Sequence, residues 1–498
     1  MLATVSLLLI LDAPTPAVGD GGHSLAIGQA VALAVRHNPR LAAASVAVVG
    51  GDQGMLAASG ADDFLWDASA GWAKSRNAIV PGTPVQQTHA DDLLLSTAVT
   101  RPLATGGALG LRLSADLSQA DYLSDLGDGS GKLAPSTVDT RLTSLSLFGS
   151  HPLLRGAGTN TARAQRRRAR AARDIAGLQR DAVAAGLVRD VVVACWNTLL
   201  TAEETEIRRA LTESAREQLQ AVQAGIGVGK QPPSAAAEVA VAVALRQDDA
   251  IAGEDAARAA AIELARLLGG DVDEPAAETT IVEPLDSATI DGGWSFDSAV
   301  AAAMERNPEL ALARARGQAS TIDVEVGENG LLPQLDLAAA GGIRGNADNF
   351  GGALGQLGGA RSYDVQVGLV FQEPLGRRWA KGSLGVARAE RQRARLSEAD
   401  IIAQVRSAVL RQVGLIKAAS RRMAALSETV KAATLDLDAE RARFQVGRAT
   451  NFDVLRRQEE LAQARIHVVH AKVDYWCATA NLEALTGDIL GHYRVVVR

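Results

Sequence analysis

Apolar residues in the last quarter of the chain recur every seven positions, which predicts two long helices joined by a short turn. Such a heptad repeat is typical of a coiled coil. In the turn, Gly447 suits the left-handed residue that ends a helix, and Thr450 or Asn451 suits the cap of the next one. We therefore interpret Phe444–Leu455 as the tip of an antiparallel helical hairpin. The two apolar series are Val409, Ile416, Met423, Val430, Leu437 and Phe444, then Val454, Leu461, Val468, Tyr475 and Leu482.

The same order of signals occurs twice along the chain. A helical segment interrupted by Asn-Pro occurs at Asn38-Pro39 and again at Asn307-Pro308, 269 positions later. The strand exits at Pro152 and Pro374 are 222 positions apart, and the two Val-Gly tips are 218 apart. These matches predict two internal structural repeats. The fall in spacing from 269 to 222 predicts an insertion among the strands of the first repeat, which we interpret as an extra hairpin around residues 101–107.

Between the helical patterns, each half switches to an alternation of apolar and polar residues, which predicts β-strands. Runs of about ten residues with one polar face are expected of strands in a membrane barrel with a watery lumen. Alternation alone fits a soluble sheet as well. Glycine- and aspartate-rich residues 118–136 and 341–362 are predicted to be solvent loops. The alternating runs lie at Trp66–Trp72, Leu109–Leu117, Leu142–Phe148, Leu335–Leu337 and Tyr363–Phe371.

These patterns divide the chain into consecutive parts. Residues 1–20 are predicted to be a signal peptide, because the apolar run Val5–Leu11 precedes small residues and prolines. The first repeat is residues 21–268, with strands at about 63–150 and a helical hairpin at 161–268. A linker at 269–293 follows. The second repeat is residues 294–487, with strands at about 331–374 and a hairpin at 382–487, before a tail at 488–498.

Charge and candidate chemistry exclude several function classes. The 498 residues include 51 Lys and Arg against 57 Asp and Glu, a net charge of −6, which does not favour nucleic acid. Arginine clusters at 163–173 and 388–395 follow the strands of each half, so we interpret them as a basic collar beside the strands. We find no catalytic motif and predict no enzyme activity and no cofactor. His467, His470 and Asp474 lack the ligand set of a closed metal site, so no metal is predicted.

The duplicated Asn-Pro starts, paired strands, Pro-Leu exits, long coiled helices and Val-Gly tips together resemble the TolC-like outer-membrane efflux protein family. The resemblance covers nearly all of the chain from Leu25 to Gly487. It implies a mixed α and β fold in which a homotrimer forms a 12-stranded transmembrane β-barrel, with four strands per chain, continued by a long periplasmic coiled-coil α-barrel. The extra hairpin would lengthen the barrel wall or fold outside it. The implied location is the bacterial outer membrane, with a large periplasmic portion.

The resemblance also implies a function and its site residues. The protein would be the passive exit duct of a tripartite efflux or type I secretion system, with a periplasmic adaptor, an inner-membrane pump, outer-membrane lipid and two further copies of itself as partners. The adaptor would dock at Val228-Gly229 and Val446-Gly447. Asp453 matches the first aspartate of the family's periplasmic gate, but Arg456 stands where the second is expected, which would create Asp–Arg pairs.

Three alternatives stay open from the sequence alone. Asp453 also suits a helix start, where the macrodipole favours a negative charge. A soluble coiled-coil scaffold without channel activity is the competing class of protein. Within transport, the sequence does not separate a small-molecule efflux exit from a dedicated exit for secreted proteins.

Overall fold

The computed structural model describes residues 24–80, 83, 85–125, 133–229, 232–269, 280–281, 283, 294–347, 349–360 and 362–496. The predicted signal peptide, most of the predicted linker and the last two residues of the tail lie outside these ranges. The chain forms two compact units. We call one the helical unit, made of residues up to Ala42, Val183–Asn307 and residues from Val405 onward; the other, the sheet unit, is made of Ala43–Ala182 and Pro308–Gln404.

Both secondary-structure types are present, so the predicted mixed α and β fold is confirmed. Helices α4 and α9 are long enough to contribute to both units. The strands are β1 Ser24–Leu25, β2 Leu65–Arg76, β3 Val85–Pro102, β4 Ala108–Asp125, β5 Leu133–Pro152, β6 Thr280–Ile281, β7 Gln334–Asn346 and β8 Ser362–Gln372. The helices are α1 Ile27–His37, α2 Pro39–Ser59, α3 Thr159–Ala162, α4 Ala164–Gly227, α5 Ser234–Leu268, α6 Phe296–Arg306, α7 Pro308–Gly330, α8 Phe350–Leu357, α9 Arg378–Gln445, α10 Asn451–Thr486 and α11 Ile489–His492.

Within the described ranges, the sheet unit contains one antiparallel sheet of six strands in the order β2-β3-β4-β5-β7-β8. The expectation of four strands per chain is therefore wrong for this sheet. The predicted insertion supplies β3 and β4, which pair with each other and with β2 and β5 along nearly their whole length. An antiparallel hairpin inserted between two strands satisfies its own backbone groups and both neighbours, so the ladder continues through it.

The turn between β3 and β4 lies against the strand exit at the helical end of the sheet. Leu103 N–H donates to the Gly107 carbonyl at 2.7 Å, and Gly158 N–H donates to the Thr105 carbonyl at 3.1 Å. Gly106 has φ +100°, and a Cβ there would come within 2.4 Å of the Gly156 carbonyl oxygen. The close approach requires glycine, so this turn is built into the place where the chain leaves the sheet.

The predicted loops at 118–136 and 341–362 are wrong over much of their length. Residues 118–125 and 133–136 extend β4 and β5, and residues 341–346 belong to β7. Residues 350–357 form the helix α8. Polar residues on both faces of a strand remove the alternation from which strands are predicted. The outer parts of β4, β5 and β7 therefore could not be predicted from the sequence pattern.

The predicted heptad seam is the core of the α9–α10 hairpin in the helical unit. Val409, Val413, Ile416 and Leu437 of α9 are buried. Leu437 and Val454 belong to one apolar cluster with Leu461, against which Phe444 packs. A second core joins α1, α4, α5 and α10, where Trp196 and Trp476 stack with ring centroids 5.3 Å apart. Packing of apolar faces thus accounts for the paired long helices.

The two Asn-Pro breaks make matching contacts with the ends of long helices. Asn38 is buried and donates from Nδ2 to the Leu267 carbonyl at 2.9 Å, at the end of α5. Asn307 donates in the same way to the Leu485 carbonyl at 2.9 Å, at the end of α10. Each asparagine also precedes the proline that begins a helix. The break between helices therefore provides a donor for a carbonyl that the end of another helix leaves free.

Two helices have an apolar stretch whose length and composition would suffice to cross a membrane, at Pro39–Asp62 and Ala164–Gly227. The first is almost unburied within the protomer, whereas half of the apolar window in the second is buried. A helix that packs against a neighbour passes the same test as a helix that spans a bilayer. Most of the stretch at Pro39–Asp62 is therefore exposed in one protomer, although Gly51 and Asp52 contact Arg173 of α4.

Candidate functional site

Both predicted Val-Gly tips are exposed turns between long helices of the helical unit. Val228 and Val446 have 69% and 70% of their surface exposed. Gly229 (φ +72°) and Gly447 (φ +73°) adopt the left-handed conformation that glycine favours. Their N–H groups donate to the carbonyls of Ile226 and Phe444 at 2.9 and 3.0 Å. Each tip thus presents an apolar side chain beside a bare glycine backbone.

Asp453 lies in the first turn of α10 and closes a capping box with Thr450. The Thr450 hydroxyl accepts from Asp453 N–H at 3.2 Å, while the Asp453 carboxylate accepts from Thr450 N–H at 2.9 Å and from its hydroxyl at 2.7 Å. These hydrogen bonds from Thr450 lower the pKa of the Asp453 carboxyl below its ordinary value, and Arg457 and Arg456 lower it further. The side chain therefore has a structural role at the helix start whatever else it does.

Arg456 lies one turn further along α10 and pairs with Glu460, with 3.1 Å between Nε and Oε1. Its neighbour Arg457 pairs with Glu460 and, across the hairpin, with Asp436 at 3.1 Å. Within one protomer, Asp453 is thus held by Thr450 and Arg456 by Glu460. Any Asp453–Arg456 pairing would have to compete with these contacts.

A buried arginine joins the first hairpin to the second just behind this helix start. Arg246 of α5 is 6% exposed. It donates to the Leu455 carbonyl at 2.7 Å and to Gln458 Oε1 at 3.1 Å. Burial lowers the pKa of the guanidinium, and Glu459 partly offsets that effect. We call Arg246, Leu455 and Gln458 the clasp.

The clasp continues toward the tips through a second polar contact and an apolar cluster. Gln218 of α4 donates to the Asn451 side-chain oxygen at 2.7 Å, at the first residue of α10. Leu455 packs with Ala215, Val222 and Val239 of the first hairpin. Both hairpins are therefore fastened together beside the residues predicted to form the gate.

The sequence predicted the tips and the cap but not the clasp. Arg246 lies in a run of polar residues, Arg246–Asp249, that looks like a solvent-facing stretch of helix. Its partners Leu455 and Gln458 lie more than 200 positions away. Because a helix distant in sequence buries this charge, the residues near Arg246 in the sequence do not indicate that it is buried. Gln458 gives no local signal either, because it lies in the polar run Arg456–Glu460.

The sheet unit has one apolar face and one polar face, each continuous through all six strands. Residues paired directly across an antiparallel sheet project to the same side. One row of such partners is apolar throughout: Trp66, Val99, Leu111, Leu147, Gly341 and Val365. The adjacent row is mainly polar or small: Asp67, Ala98, Arg112, Ser146, Gly342 and Asp364. We call the first side the apolar face and the second the polar face.

Aromatic and charged residues mark the limits of the apolar face. On the edge strands it runs from Trp66 to Trp72 and from Tyr363 to Phe371, all largely exposed. Beyond Trp72, the next residues on that side are Lys74 and Asp91, which form an ion pair at 3.0 Å. Aromatic girdles around an apolar band, with polar residues beyond it, are typical of outer-membrane strands.

The arginine cluster beside the strands is engaged by acidic side chains of the sheet unit. Arg166 pairs with Asp62 at 2.6 Å, Arg168 with Asp323 at 2.7 Å and Arg173 with Asp52 at 3.0 Å. The second predicted cluster contributes Arg388, which pairs with Glu328 at 3.1 Å. These guanidinium groups are thus neutralised locally, where a nucleic-acid surface would leave them available to phosphates.

Two of the histidine and aspartate side chains considered as metal ligands contact charged side chains. His470 contacts Glu204, and Asp474 pairs with Arg422 at 3.0 Å. In the ranges that the structure describes, no three His, Cys, Asp or Glu side chains gather as a metal site would require. Cys195 and Cys477 are free thiols, and burial raises the pKa of each to about 12. The polar side chains described above therefore serve helix ends and contacts between helices.

Comparisons with solved structures identify the fold. The outer-membrane protein VceC of Vibrio cholerae has a TM-score of 0.63 at 16% identity, covering 93% of this chain and 96% of VceC. The open-state outer-membrane channel MtrE of Neisseria gonorrhoeae has a TM-score of 0.61 at 14% identity, covering 93% of this chain and 88% of MtrE. At these identities the likeness concerns the fold alone.

Sequence comparisons identify the family. The alkaline protease secretion protein AprF of Pseudomonas aeruginosa is 28% identical over 310 residues, which are 60% of this chain and 61% of AprF. The match thus spans about three fifths of that relative's length. The family described as outer membrane efflux protein matches residues 110–270 and 299–488, more than half of the chain. The chain therefore belongs to the outer membrane efflux protein family.

Proposed function

We propose that this protein is the outer-membrane exit duct of an export system, formed by three copies that close one β-barrel. The observation that carries the proposal is the apolar face, which continues through all six strands with a polar face behind it. A sheet of this kind suits a wall with lipid on one side and water on the other. Substrate enters at the helical tips and leaves through the lumen of the barrel.

The edges of the sheet favour an assembly of several chains. Among the described strands, β2 and β8 each pair on one side only. Unpaired strand edges are not tolerated in the hydrocarbon core of a membrane. Because the sheet has six strands, β8 of one copy runs antiparallel to β2 of the next. Three copies then give an eighteen-stranded barrel in place of the twelve strands expected from the sequence.

The register of the apolar face supports closure. On β2, the apolar face ends at Trp72 on the side away from the long helices, and Trp72 is in the same cross-strand row as Leu93 and Leu117. On β8, the face ends on that side at Tyr363, which is in the same cross-strand row as Ala68. The face therefore moves four residues along the strands between the two edges. Barrel closure requires a stagger of this kind, since strands must tilt against the axis.

An eighteen-stranded barrel has consequences for conduction. Barrel diameter grows roughly in proportion to strand number, and barrels of about 16–18 strands leave an aqueous channel. The lumen would be about half as wide again as that of a twelve-stranded barrel. On the polar face, Arg112, Asp67 and Asp364 line this channel among small residues. Such a lining suits hydrated cargo.

Further copies of the chain also account for exposed apolar helix surface. Val46, Val49 and Leu56 of α2 are more than half exposed in one protomer. In the trimer, a neighbouring copy covers them.

The two halves of the chain are internal repeats, as supported by the matching contacts of Asn38 and Asn307 and by the two Val-Gly tips. The predicted domain bounds follow those repeats.

The partners follow from the tips. A periplasmic adaptor docks on Val228-Gly229 and Val446-Gly447, where an exposed apolar side chain stands beside a backbone without a side chain. The adaptor connects the duct to an inner-membrane pump. Asp453 and Arg456 form the charged surroundings of the entrance. The six tips of a trimer provide the repeated surface that a ring of adaptors requires.

Cysteine cross-linking between edge strands tests the trimer. Ser69→Cys on β2 and either Gln366→Cys or Gly368→Cys on β8 lie on the polar face. We expect oxidation in outer-membrane vesicles to give covalent trimers. Ser69→Cys combined with Ser146→Cys on the interior strand β5 is the control and should give none. The protein without introduced cysteines measures the background from Cys195 and Cys477, and burial raises the pKa of both thiols to about 12.

Two results would reject the proposal. A protein recovered in the soluble fraction, with no cross-linked trimer for any β2–β8 pair, would favour a soluble coiled-coil scaffold. Cross-linked trimers without ionic conductance in planar bilayers would leave the assembly but remove the duct.

The similarity to AprF favours protein secretion over small-molecule efflux as the transport role. We propose a secreted polypeptide as the cargo class. The measurement compares culture supernatants of wild-type and deletion strains by mass spectrometry. Loss of a secreted protein on deletion supports this role, whereas unchanged supernatant together with sensitivity to toxic small molecules assigns the duct to efflux.

A further inference from the structure

Helix α8 is an element of the sheet unit that the duct function does not explain. It connects β7 to β8 and spans Phe350–Leu357. Its first turn is capped by Asn349, whose side-chain oxygen accepts from Gly352 N–H at 2.7 Å. Gln356 returns to the sheet, where its side-chain oxygen accepts from Asn346 N–H at 3.0 Å. The helix is thus anchored to the strand that precedes it.

The helix packs on the apolar face of the sheet. Gly345 pairs with Thr143, and both are on the same side as Ile343 and Leu145. A Cβ added to Gly345 would come within 1.9 Å of the Ala353 carbonyl oxygen. Ala353 and Thr143 are almost completely buried by this contact. Close approach of helix and strand therefore depends on glycine at position 345.

The position of α8 along the strands is also defined. The strands meet the helices α2, α4, α7 and α9 of the sheet unit at one end, whereas α8 lies at the opposite end. Arg141, two residues beyond Thr143 on β5, is in line with Leu117 and ends the apolar run of that strand. The helix therefore covers the outer limit of the apolar face.

The side of α8 that does not touch the sheet is apolar. Phe350 and Leu354 are one turn apart and are 46% and 37% exposed. Gly351, Gly355 and Gln356 are exposed as well, and the Gln356 side-chain oxygen is the one that accepts from Asn346 N–H. The sequence of the helix, FGGALGQL, has no charged residue. In water, both this side of α8 and the apolar face of the sheet beneath it would be exposed apolar surface.

We propose that α8 is an interfacial helix that inserts Phe350 and Leu354 among the acyl chains of the outer leaflet. The inference rests on the proposed function, because it takes the apolar face to be in contact with lipid. Helices that lie in the plane of a membrane interface bury an apolar side in the boundary between headgroups and acyl chains. Aromatic residues are enriched at that level. The apolar side of α8 is continuous with the apolar face beneath it, and this continuity identifies lipid as the occupant.

Spin-label accessibility in vesicles measures the environment of α8 directly. Leu354→Cys carries a nitroxide in the full-length protein, reconstituted in vesicles of phosphatidylethanolamine and phosphatidylglycerol. Collisions with oxygen report lipid exposure, and collisions with a neutral nickel chelate report water. Val367→Cys on β8 is the lipid reference, and Asp139→Cys on the polar outer part of β5 is the water reference.

We expect the oxygen-to-nickel ratio at Leu354 to approach that at Val367 and to exceed that at Asp139 several-fold. A ratio at Leu354 equal to that at Asp139 would overturn the inference while leaving the barrel intact. If the label at Val367 also reports water, the proposed barrel itself is wrong. Spin–spin broadening at Leu354 would identify a second copy of the chain as the occupant and would likewise overturn the inference.

A second variant tests whether packing on the sheet holds the helix in place. Gly345→Val forces the side chain into α8 and should shift the label at Leu354 toward water and raise its mobility. Gly341→Val is the matched control on the same strand and face, because its nearest neighbour is 3.8 Å from an added Cβ. The label at Val367 should not change in either variant. An unchanged label at Leu354 in Gly345→Val would contradict the proposed seat of α8.

Discussion

The guanidinium of Arg246 donates a hydrogen bond to the main-chain carbonyl of Leu455 at 2.7 Å. The donor lies on α5 of the first hairpin, and the acceptor lies in the second turn of α10 in the second hairpin. Because Arg246 is buried, its charge depends on these contacts for compensation. Gln458, the Leu211 carbonyl and, more distantly, Glu459 also contact the guanidinium. The two hairpins are therefore joined by a polar contact that cannot be lost without leaving a buried group unsatisfied.

Arg246→Met should loosen the contact between the hairpins. Methionine fills much of the space but leaves the Gln458 side chain without this donor, which costs about 1–3 kcal/mol for an unsatisfied buried polar group. We expect amide hydrogen exchange in α10 near Leu455 and in α5 near Arg246 to become at least about fivefold faster. Single-channel conductance in planar bilayers should rise as well, since α10 carries Asp453 and Arg456, the residues that we propose surround the entrance.

Arg258→Met is the control for the clasp, because Arg258 lies on the same helix, is exposed and pairs with Asp255 at i, i+3. Pairs of this kind contribute little to stability. Equal exchange rates in Arg246→Met and Arg258→Met would show that the clasp does not hold the hairpins together.

Asn38→Ala and Asn307→Ala should each destabilise the end of one long helix. Asn38 donates to the Leu267 carbonyl and Asn307 to the Leu485 carbonyl, so each loss costs about 1–3 kcal/mol. Hydrogen exchange should accelerate at the end of α5 in the first variant and at the end of α10 in the second. The aspartate variants keep an acceptor but lose the donor, and should behave like alanine. Acceleration at both helix ends in either variant would contradict separate roles.

The long helices could be predicted from the sequence because their cores are local. Val409, Ile416 and Leu437 repeat along one helix, and the tip residues Gly447 and Thr450 carry their own conformational signals. The same reasoning predicted the tips and the helix-start role of Asp453.

Other features depend on contacts that no local pattern records. Strands β4 and β5 continue past the apolar face into polar sequence, where backbone pairing and cross-strand hydrogen bonds such as Thr137 to Asp121 at 2.8 Å maintain them. Helix α8 forms from a glycine-rich octapeptide because Gly345 and Ala353 allow it to approach the sheet. The buried Arg246 was invisible for a related reason, since the chain that buries it is more than 200 positions away.

Val446→Asp and Val228→Asp should abolish adaptor docking without preventing trimer formation. Each valine is exposed at a tip, so a charge there is tolerated by the free protein but would be desolvated beneath an apolar partner surface. We expect export, and chemical cross-linking to the adaptor, to fall at least tenfold, since about 1.4 kcal/mol of lost binding energy has that effect. Conductance in planar bilayers should match the wild type.

Val446→Ile is the conservative control for the tips and should retain export, because it keeps an apolar branched side chain. Gly447→Ala tests the backbone at the same place: no atom lies within 4 Å of an added Cβ, but φ of +73° strains alanine. Adaptor binding that survives both aspartate variants would assign docking to another surface.

Asp453→Asn and Arg456→Gln should change ion selectivity in opposite directions. Both side chains lie in the first turns of α10 beside the tip, so removing the negative charge should lower cation selectivity and removing the positive charge should raise it.

The pKa of Asp453 is lowered chiefly by its hydrogen bonds with Thr450. Its stabilising contribution to the helix start is therefore present above the ordinary carboxyl pKa and is lost as pH falls through the lowered value. Reversal potentials in a salt gradient should be constant from neutral pH to about pH 5 and lose cation preference only in stronger acid. A reversal potential unchanged in Asp453→Asn at neutral pH would leave Asp453 as a helix cap and remove it from the gate.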